Sequence, residues 1–291
     1  MSSVAIVGAG VIGLSWARLF DRCGWSVTVS DPREDLAELV GAQFPAGSVA
    51  ATNDLESAVS GVDFVQENAP ERLAVKRSIF ATLATAAPPT AILASSSSSL
   101  LPSVIAEGNP AADRIVIGHP FNPPEILPLV EIVPGSQTSS DTVERATEIY
   151  RSLGRTPVAL RKEIRGFIGN RLQKALKEQA VYLVQQGYAT VADIDAVMTN
   201  SLGPRWAVTG PFAAQNLGGG PDGPRHLYEN VGAAMQFELG EPDLSPAAME
   251  PVFEQIEHTY GTGADAYRRN VAARDVALRA VLQAQHAKEE A

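Results

Sequence analysis

Val4-Ala5-Ile6-Val7-Gly8-Ala9-Gly10-Val11-Ile12-Gly13 is the stretch that decides the fold. Its first four residues are continuously apolar, as a parallel strand buried on both faces requires, and Leu14 to Cys23 continues as a helix. Between them stands a Gly-x-Gly-x-x-Gly turn. Gly8 makes the tight turn, Gly10 lets a pyrophosphate approach the backbone, and Gly13 lets the helix pack close to the strand. The helix N-terminus then faces the phosphates. A second apolar run, Trp25-Ser26-Val27-Thr28-Val29, ends in Ser30-Asp31, eighteen residues after Gly13. A carboxylate there accepts hydrogen bonds from the adenosine ribose and repels a 2′-phosphate, so the pattern favours NAD over NADP. Arg33 leaves the phosphate open, because an arginine near that site can hold it.

The alternation of strand and helix continues outward. Pro32 to Val59 predicts helix, loop and helix, the last piece over Asp54 to Val59. Val62-Asp63-Phe64-Val65 restarts a strand, and Gln66 to Glu71 lies at its carboxyl end, where ligands of open α/β sheets bind. Glu71 and Lys76 stand at the start of a helix running to Ala86, and taken alone they read as solvated helix charges. Ala91-Ile92-Leu93-Ala94 leads into five serines, Ser95 to Ser99, bounded by Leu100-Leu101. That position at a strand end argues against a flexible linker and for hydroxyls facing a substrate oxygen or the nicotinamide ribose. A helix over Ser140 to Leu153 and a strand-like run at Pro157 to Leu160 complete a doubly wound, mostly parallel, Rossmann-type α/β domain over residues 1–161.

Within it, Ile115 to Ile117 and Leu129 to Val133 are apolar runs joined by a proline-rich loop. His119 lies just past the first and Glu131 inside the second. A carboxylate within Leu-Val-Glu-Ile-Val is costly to bury unless something pairs with it, and the short return brings His119 alongside. The pair reads as a general base or acid whose tautomer and basicity the carboxylate sets. A His-Pro turn beside a surface glutamate on an edge strand is the reading that competes with it.

After Arg161 the texture becomes helical. Arg165 to Gln186 opens a long amphipathic pattern, Thr190 to Asp193 fits a capping box, and Ser245-Pro246 fits a cap followed by proline. Residues 162–291 are expected to form an all-helical second domain, with Pro204-Arg205-Trp206 and Leu217 to Gly223 as its irregular parts and Ala264 to Gln285 as its last helix. His226, His258 and His286 are scattered, and no metal-ligand spacing appears.

A net charge of −10 disfavours nucleic acid and anionic membrane as partners. One cysteine, Cys23, rules out an internal disulfide and is expected on the inner face of a helix. With no apolar run of the roughly 18 residues a span requires and no basic start typical of a signal peptide, the expectation is a cytoplasmic protein acting on a small molecule.

Gln-Glu-Asn-Ala-Pro-Glu-Arg-Leu (66–73), Gly-His-Pro-Phe-Asn-Pro-Pro (118–124), Leu-Val-Glu-Ile-Val (129–133) and Gly-Phe-Ile-Gly-Asn-Arg-Leu-Gln (166–173) resemble the 3-hydroxyacyl-CoA dehydrogenase family over essentially the whole chain. Within it they are most similar to the branch containing lambda-crystallin/L-gulonate 3-dehydrogenase and L-carnitine 3-dehydrogenase. The resemblance implies a His119–Glu131 catalytic dyad, with Ser98 and Asn170 on the reacting oxygen and Asn122 in the substrate site. By the same similarity Val11, Ile12, Asp31, Glu71 and Lys76 contact NAD, and the helical domain forms a homodimer interface. Two departures stand out. Acyl-CoA members insert a helical hairpin after the second strand, for which the thirty-five residues between Asp31 and Glu67 are too few. Arg205, in Gly-Pro-Arg-Trp, resembles the free-acid branch and offers a guanidinium for a carboxylate, although a structural ion pair is an equally good reading. The expectation is NAD-dependent oxidation of the 3-hydroxyl of a small free acid, leaning to a gulonate-like one. An acyl-CoA or acyl-carrier-protein dehydrogenase and a non-catalytic NAD-binding structural or sensor protein are the alternatives.

Overall fold

The computed structural model describes residues 2–232 and 237–289. Its contacts divide the chain into two compact units, Met1–Arg171 and Leu172–Ala291. The first holds one eight-stranded sheet in the order β3-β2-β1-β4-β5-β6-β7-β8. The strands are β1 (Ser3–Val7), β2 (Ser26–Ser30), β3 (Val49–Thr52), β4 (Phe64–Glu67), β5 (Ile92–Ser95), β6 (Ile115–Pro120), β7 (Leu129–Pro134) and β8 (Thr156–Ala159). All neighbours pair in parallel except β6 and β7. The helices are α1 (Val11–Arg22), α2 (Leu36–Gln43), α3 (Leu55–Val59), α4 (Leu73–Ala86), α5 (Pro102–Ile105), α6 (Ser140–Ser152) and α7 (Gly169–Gln185), the last of which continues into the second unit.

Strand alternation divides the core between two faces. Along β1, Val4 and Ile6 join Trp16, Phe20, Phe64 and Tyr150 on one side, while Ala5 and Val7 join Phe80, Leu83 and Ile117 on the other. Both faces are dry, which is why these strands read as unbroken apolar runs. The alternation also demands small residues where layers come close. A Cβ on Gly13 would sit 1.9 Å from the Gly8 carbonyl oxygen, and one on Gly118 would sit 1.9 Å from the Tyr150 hydroxyl.

Three expectations for these elements need correcting. Pro32 to Val59 contains β3 between its two helices. This strand has no apolar signature, because it is the outer edge of the sheet and only Val49 is buried. Cys23 is exposed; α1 stops at Arg22, so the cysteine caps the helix and its side chain leaves the packed face. Lys76 is 1 % exposed and is not a solvated helix charge, since Glu67, itself buried at the end of β4, pairs with it from within the sheet.

The second unit continues with α8 (Val191–Val197), α9 (Gly203–Val208), α10 (Pro211–Gly218), α11 (Gly223–Asn230), α12 (Pro246–Tyr260) and α13 (Gly263–Glu289). Thr190 and Asp193 form the expected reciprocal capping box on α8. Pro204-Arg205-Trp206 is helical and not irregular: proline in the first turn of α9 costs no hydrogen bond, so the sequence signal was an entry point. Val181, Val184, Met249 and Val252 make a small core of its own. Among the described residues no helix is long and apolar enough to cross a membrane. The side chain of His286 lies outside the described residues.

Candidate active site

β6 delivers His119 and β7 delivers Glu131, and antiparallel pairing sets these two residues directly opposite each other. Both are buried, and the imidazole Nδ1 lies 2.9 Å from Glu131 Oε2. The other carboxylate oxygen accepts hydrogen bonds from the backbone N–H groups of Ile168 at 2.8 Å and Gly169 at 3.0 Å. Those amides are aimed by a tight turn in which Gly166 has φ +76° and Phe167 has φ +48°, a conformation uncommon for a residue with a side chain. The turn opens α7, so the positive end of a seventeen-residue helix faces the carboxylate. Burial pushes the Glu131 carboxyl upward. The His119 hydrogen bond and the Gly169 and Ile168 amides outweigh it and hold the group below the ordinary glutamate range.

An ionised Glu131 fixes the imidazole tautomer with its proton on Nδ1. Nε2 makes no hydrogen bond among the described residues and is left to accept a proton. The rings of Phe121 and Phe167 meet the imidazole edge-on at 5.4 Å and 5.3 Å, leaving it little freedom to turn.

Asn170 follows Gly169 and donates from Nδ2 to the Ser98 carbonyl at 3.3 Å, which ties the serine run to the start of α7. The run is ordered by Glu71. Oε1 of Glu71 accepts from the Ser97 hydroxyl at 2.5 Å, the Ser98 amide at 3.0 Å, the Ser99 amide at 2.8 Å and the Ser99 hydroxyl at 2.9 Å. Burial raises the Glu71 carboxyl, but these donors and the nearby Lys76 ammonium bring it below its usual range. The Ser98 hydroxyl is left exposed with no partner among the described residues. Asn122 is exposed on the loop after β6, and its side chain makes no hydrogen bond among the described residues. That loop is pinned to α1, where Arg18 grips Glu125 at 2.7 Å and Ser15 Oγ accepts from the Glu125 amide at 3.2 Å.

Beneath the serine run Lys76 finds a partner, Glu67, that the sequence reading did not assign to it. Lys76 Nζ donates to both oxygens of Glu67 at 2.9 Å and to the Ala69 carbonyl at 3.2 Å, with Glu71 Oε2 at 3.5 Å. Ser95 Oγ donates to Glu67 Oε2 at 2.5 Å. Gln66 is likewise buried, accepting from the Tyr150 hydroxyl at 2.5 Å and donating to Ser96 Oγ at 2.8 Å. The sequence marked Gln66 and Glu67 as a polar pair at the end of an apolar strand and as the start of the 66–73 motif, without their partners.

The glycine turn opens onto a cavity of about 670 Å³ lined by Gly8, Gly10, Asp31, Arg33 and Asn53 among others. Gly8 (φ +99°) and Gly13 are closed in by backbone, whereas a Cβ on Gly10 would meet no protein atom within 4 Å. Gly10 thus leaves its backbone open to the cavity. Asp31 Oδ2 accepts from the Ala9 amide at 2.8 Å, so its carboxylate stands at the rim of the turn. Val11 is 72 % exposed in the first turn of α1, while Ile12 leans on the core. This cradle fits a dinucleotide: open backbone for the pyrophosphate, a helix N-terminus behind it and a carboxylate for the ribose. Arg205 belongs to the second unit, exposed on α9, and its guanidinium has no partner among the described residues.

A model of the 3-hydroxyacyl-CoA dehydrogenase NAD-binding domain matches residues 3–46 and 42–164, and one of the C-terminal domain of the same family matches 166–269. The chain belongs to the 3-hydroxyacyl-CoA dehydrogenase family. The two N-terminal matches overlap at residues 42–46, at the end of α2, in the segment expected to be too short for the hairpin. As a member of this family the protein is an NAD-dependent dehydrogenase acting on CH–OH groups. It is 41 % identical to a 3-hydroxyacyl-CoA dehydrogenase of Gibberella moniliformis, over 80 % of this chain and 78 % of that one. It is 38 % identical to an L-carnitine dehydrogenase of Pseudomonas putida, over 98 % of this chain and 94 % of that one. Among solved structures it is similar to 5-formyl-3-hydroxy-2-methylpyridine 4-carboxylic acid 5-dehydrogenase, an NAD-dependent dismutase, with TM-score 0.82, 25 % identity, and coverage of 98 % and 99 % of the two chains.

Proposed function

We propose that this family member oxidises the 3-hydroxyl of a small free carboxylic acid, and that His119 Nε2 takes the hydroxyl proton. The reading is carried by one observation: a buried imidazole whose Nδ1 is committed to an ionised carboxylate, leaving Nε2 free. In oxidation the proton moves from the substrate oxygen to Nε2, and Glu131 stabilises the imidazolium that results. Ser98 Oγ and Asn170 Nδ2 would hold the oxygen as it becomes a carbonyl. NAD, when bound, supplies the hydride acceptor. Gly8, Gly10 and Asp31 would hold its adenosine and pyrophosphate.

The free-acid reading is supported by the short β2-to-β4 segment, which contains only α2, β3 and α3. Relatives named L-carnitine dehydrogenase match nearly the full chain, and the structural neighbour's name denotes a carboxylic acid. A short carnitine-like acid therefore stands ahead of the gulonate-like one. Arg205 is its proposed carboxylate handle. The relative named 3-hydroxyacyl-CoA dehydrogenase favours a thioester as the second reading. A non-catalytic role has nothing comparable behind it, since binding alone gives no reason to bury His119 against Glu131.

The test is NADH fluorescence with L-carnitine, L-gulonate, short 3-hydroxy acids and 3-hydroxybutyryl-CoA. Turnover of a free acid is expected, with Arg205→Ala acting mainly by raising KM. Turnover of the thioester alone would overturn the reading. We also infer a homodimer through the helical unit, which exposes Phe212 (84 %), Leu217 and Tyr228. Light scattering should give twice the chain mass, and Phe212→Asp should shift it toward the monomer; a parent protein of single-chain mass would dismiss the dimer.

A further inference from the structure

We propose that Asp35 fixes the choice of NAD over NADP by disarming Arg33. Asp31 alone does not account for the choice, because the loop after it brings a guanidinium to the same cavity. Asp31 Oδ1 accepts from the Arg33 amide at 3.0 Å, and Asn53 Nδ2 donates to the carbonyls of Asp31 and Arg33 at 2.8 Å and 2.7 Å. The Arg33 backbone is thereby fixed on the cavity wall. An arginine so placed is the residue a 2′-phosphate would be expected to find.

The donors along its Nε edge are already taken. Arg33 Nε lies 2.5 Å from Asp35 Oδ1, and a terminal nitrogen lies 2.8 Å from Oδ2. This parallel pair occupies the Nε edge of the guanidinium, one of those that fork onto a phosphate, and offsets its charge. Asp35 is also the N-cap residue of α2, a position where aspartate normally accepts from the helix's first amides, yet it makes no capping bond there. Its carboxylate is given to Arg33 instead. A 2′-phosphate would have to displace that carboxylate before the Nε edge of Arg33 could bind it.

Direct binding of NADH and NADPH, read from the fluorescence of the reduced nicotinamide on the purified full chain, tests this without any substrate. Asp35→Ser should tighten NADPH about tenfold relative to NADH, the gain of one charge-assisted contact. Arg33→Ala in the native background should leave the NADPH-to-NADH ratio unchanged, and added to Asp35→Ser it should abolish the gain. Asp35→Asn, which keeps the shape of the side chain, should repeat the effect in part. An unmoved ratio in Asp35→Ser would overturn the proposal. So would a gain that survives Arg33→Ala, since removal of charge alone would then explain it.

Discussion

Replacing His119 by glutamine is expected to lower kcat/KM by about 10²–10⁴-fold, the usual worth of a positioned general base. Binding of NADH should be unaffected, because the cavity at Gly8, Gly10 and Asp31 does not include the imidazole. Glutamine retains a polar side chain and removes only the titratable nitrogen. Glu131→Gln should cost less on its own, since the Ile168 and Gly169 amides can still be accepted by an amide oxygen. The two losses should not add. If Glu131 works only through His119, the double variant will resemble His119→Gln, as members of one catalytic unit do. A His119→Gln enzyme within about threefold of the parent would remove the imidazole from the mechanism, whatever its geometry.

The second large effect concerns folding. Lys76→Met leaves the Glu67 carboxylate buried without its ammonium, and breaking such a pair from one side costs about 3–5 kcal/mol. In a unit of this size that corresponds to a melting point lower by roughly 6–20 °C. Lys76→Met combined with Glu67→Gln should recover much of the loss, because no buried charge then remains and Ser95 can still donate to the amide oxygen. Differential scanning calorimetry decides it. A single variant that melts within about 2 °C of the parent would mean that water reaches the pair.

The sequence revealed most where one residue's surroundings are its own neighbours. The glycine turn, the apolar strands and the capping box at Thr190 were all legible because chain proximity sets their geometry. His119 and Glu131 were legible for a related reason, since a charge inside an apolar run needs a partner and the hairpin allows few. Lys76 was misread because its partner, Glu67, comes from the adjoining strand, and helical position alone cannot distinguish solvent from a buried carboxylate. β3 escaped because an edge strand of alanine and threonine buries almost nothing. The Ile168 and Gly169 amides are invisible to any reading of side chains, as backbone donors are aimed by dihedral angles.

The pairing of β6 and β7 also sets a clock. His119 and Glu131 are held by a backbone ladder that has β5 on one side and β8 on the other, so they cannot separate unless the sheet unzips between β6 and β7. Among the described residues Ser98 is secured by bonds to the carboxylate of Glu71 and the side-chain amide of Asn170, which can break and re-form while the sheet stays shut. The His119–Glu131 pair therefore persists for as long as the folded unit does, whereas the contacts of Ser98 can be remade within it.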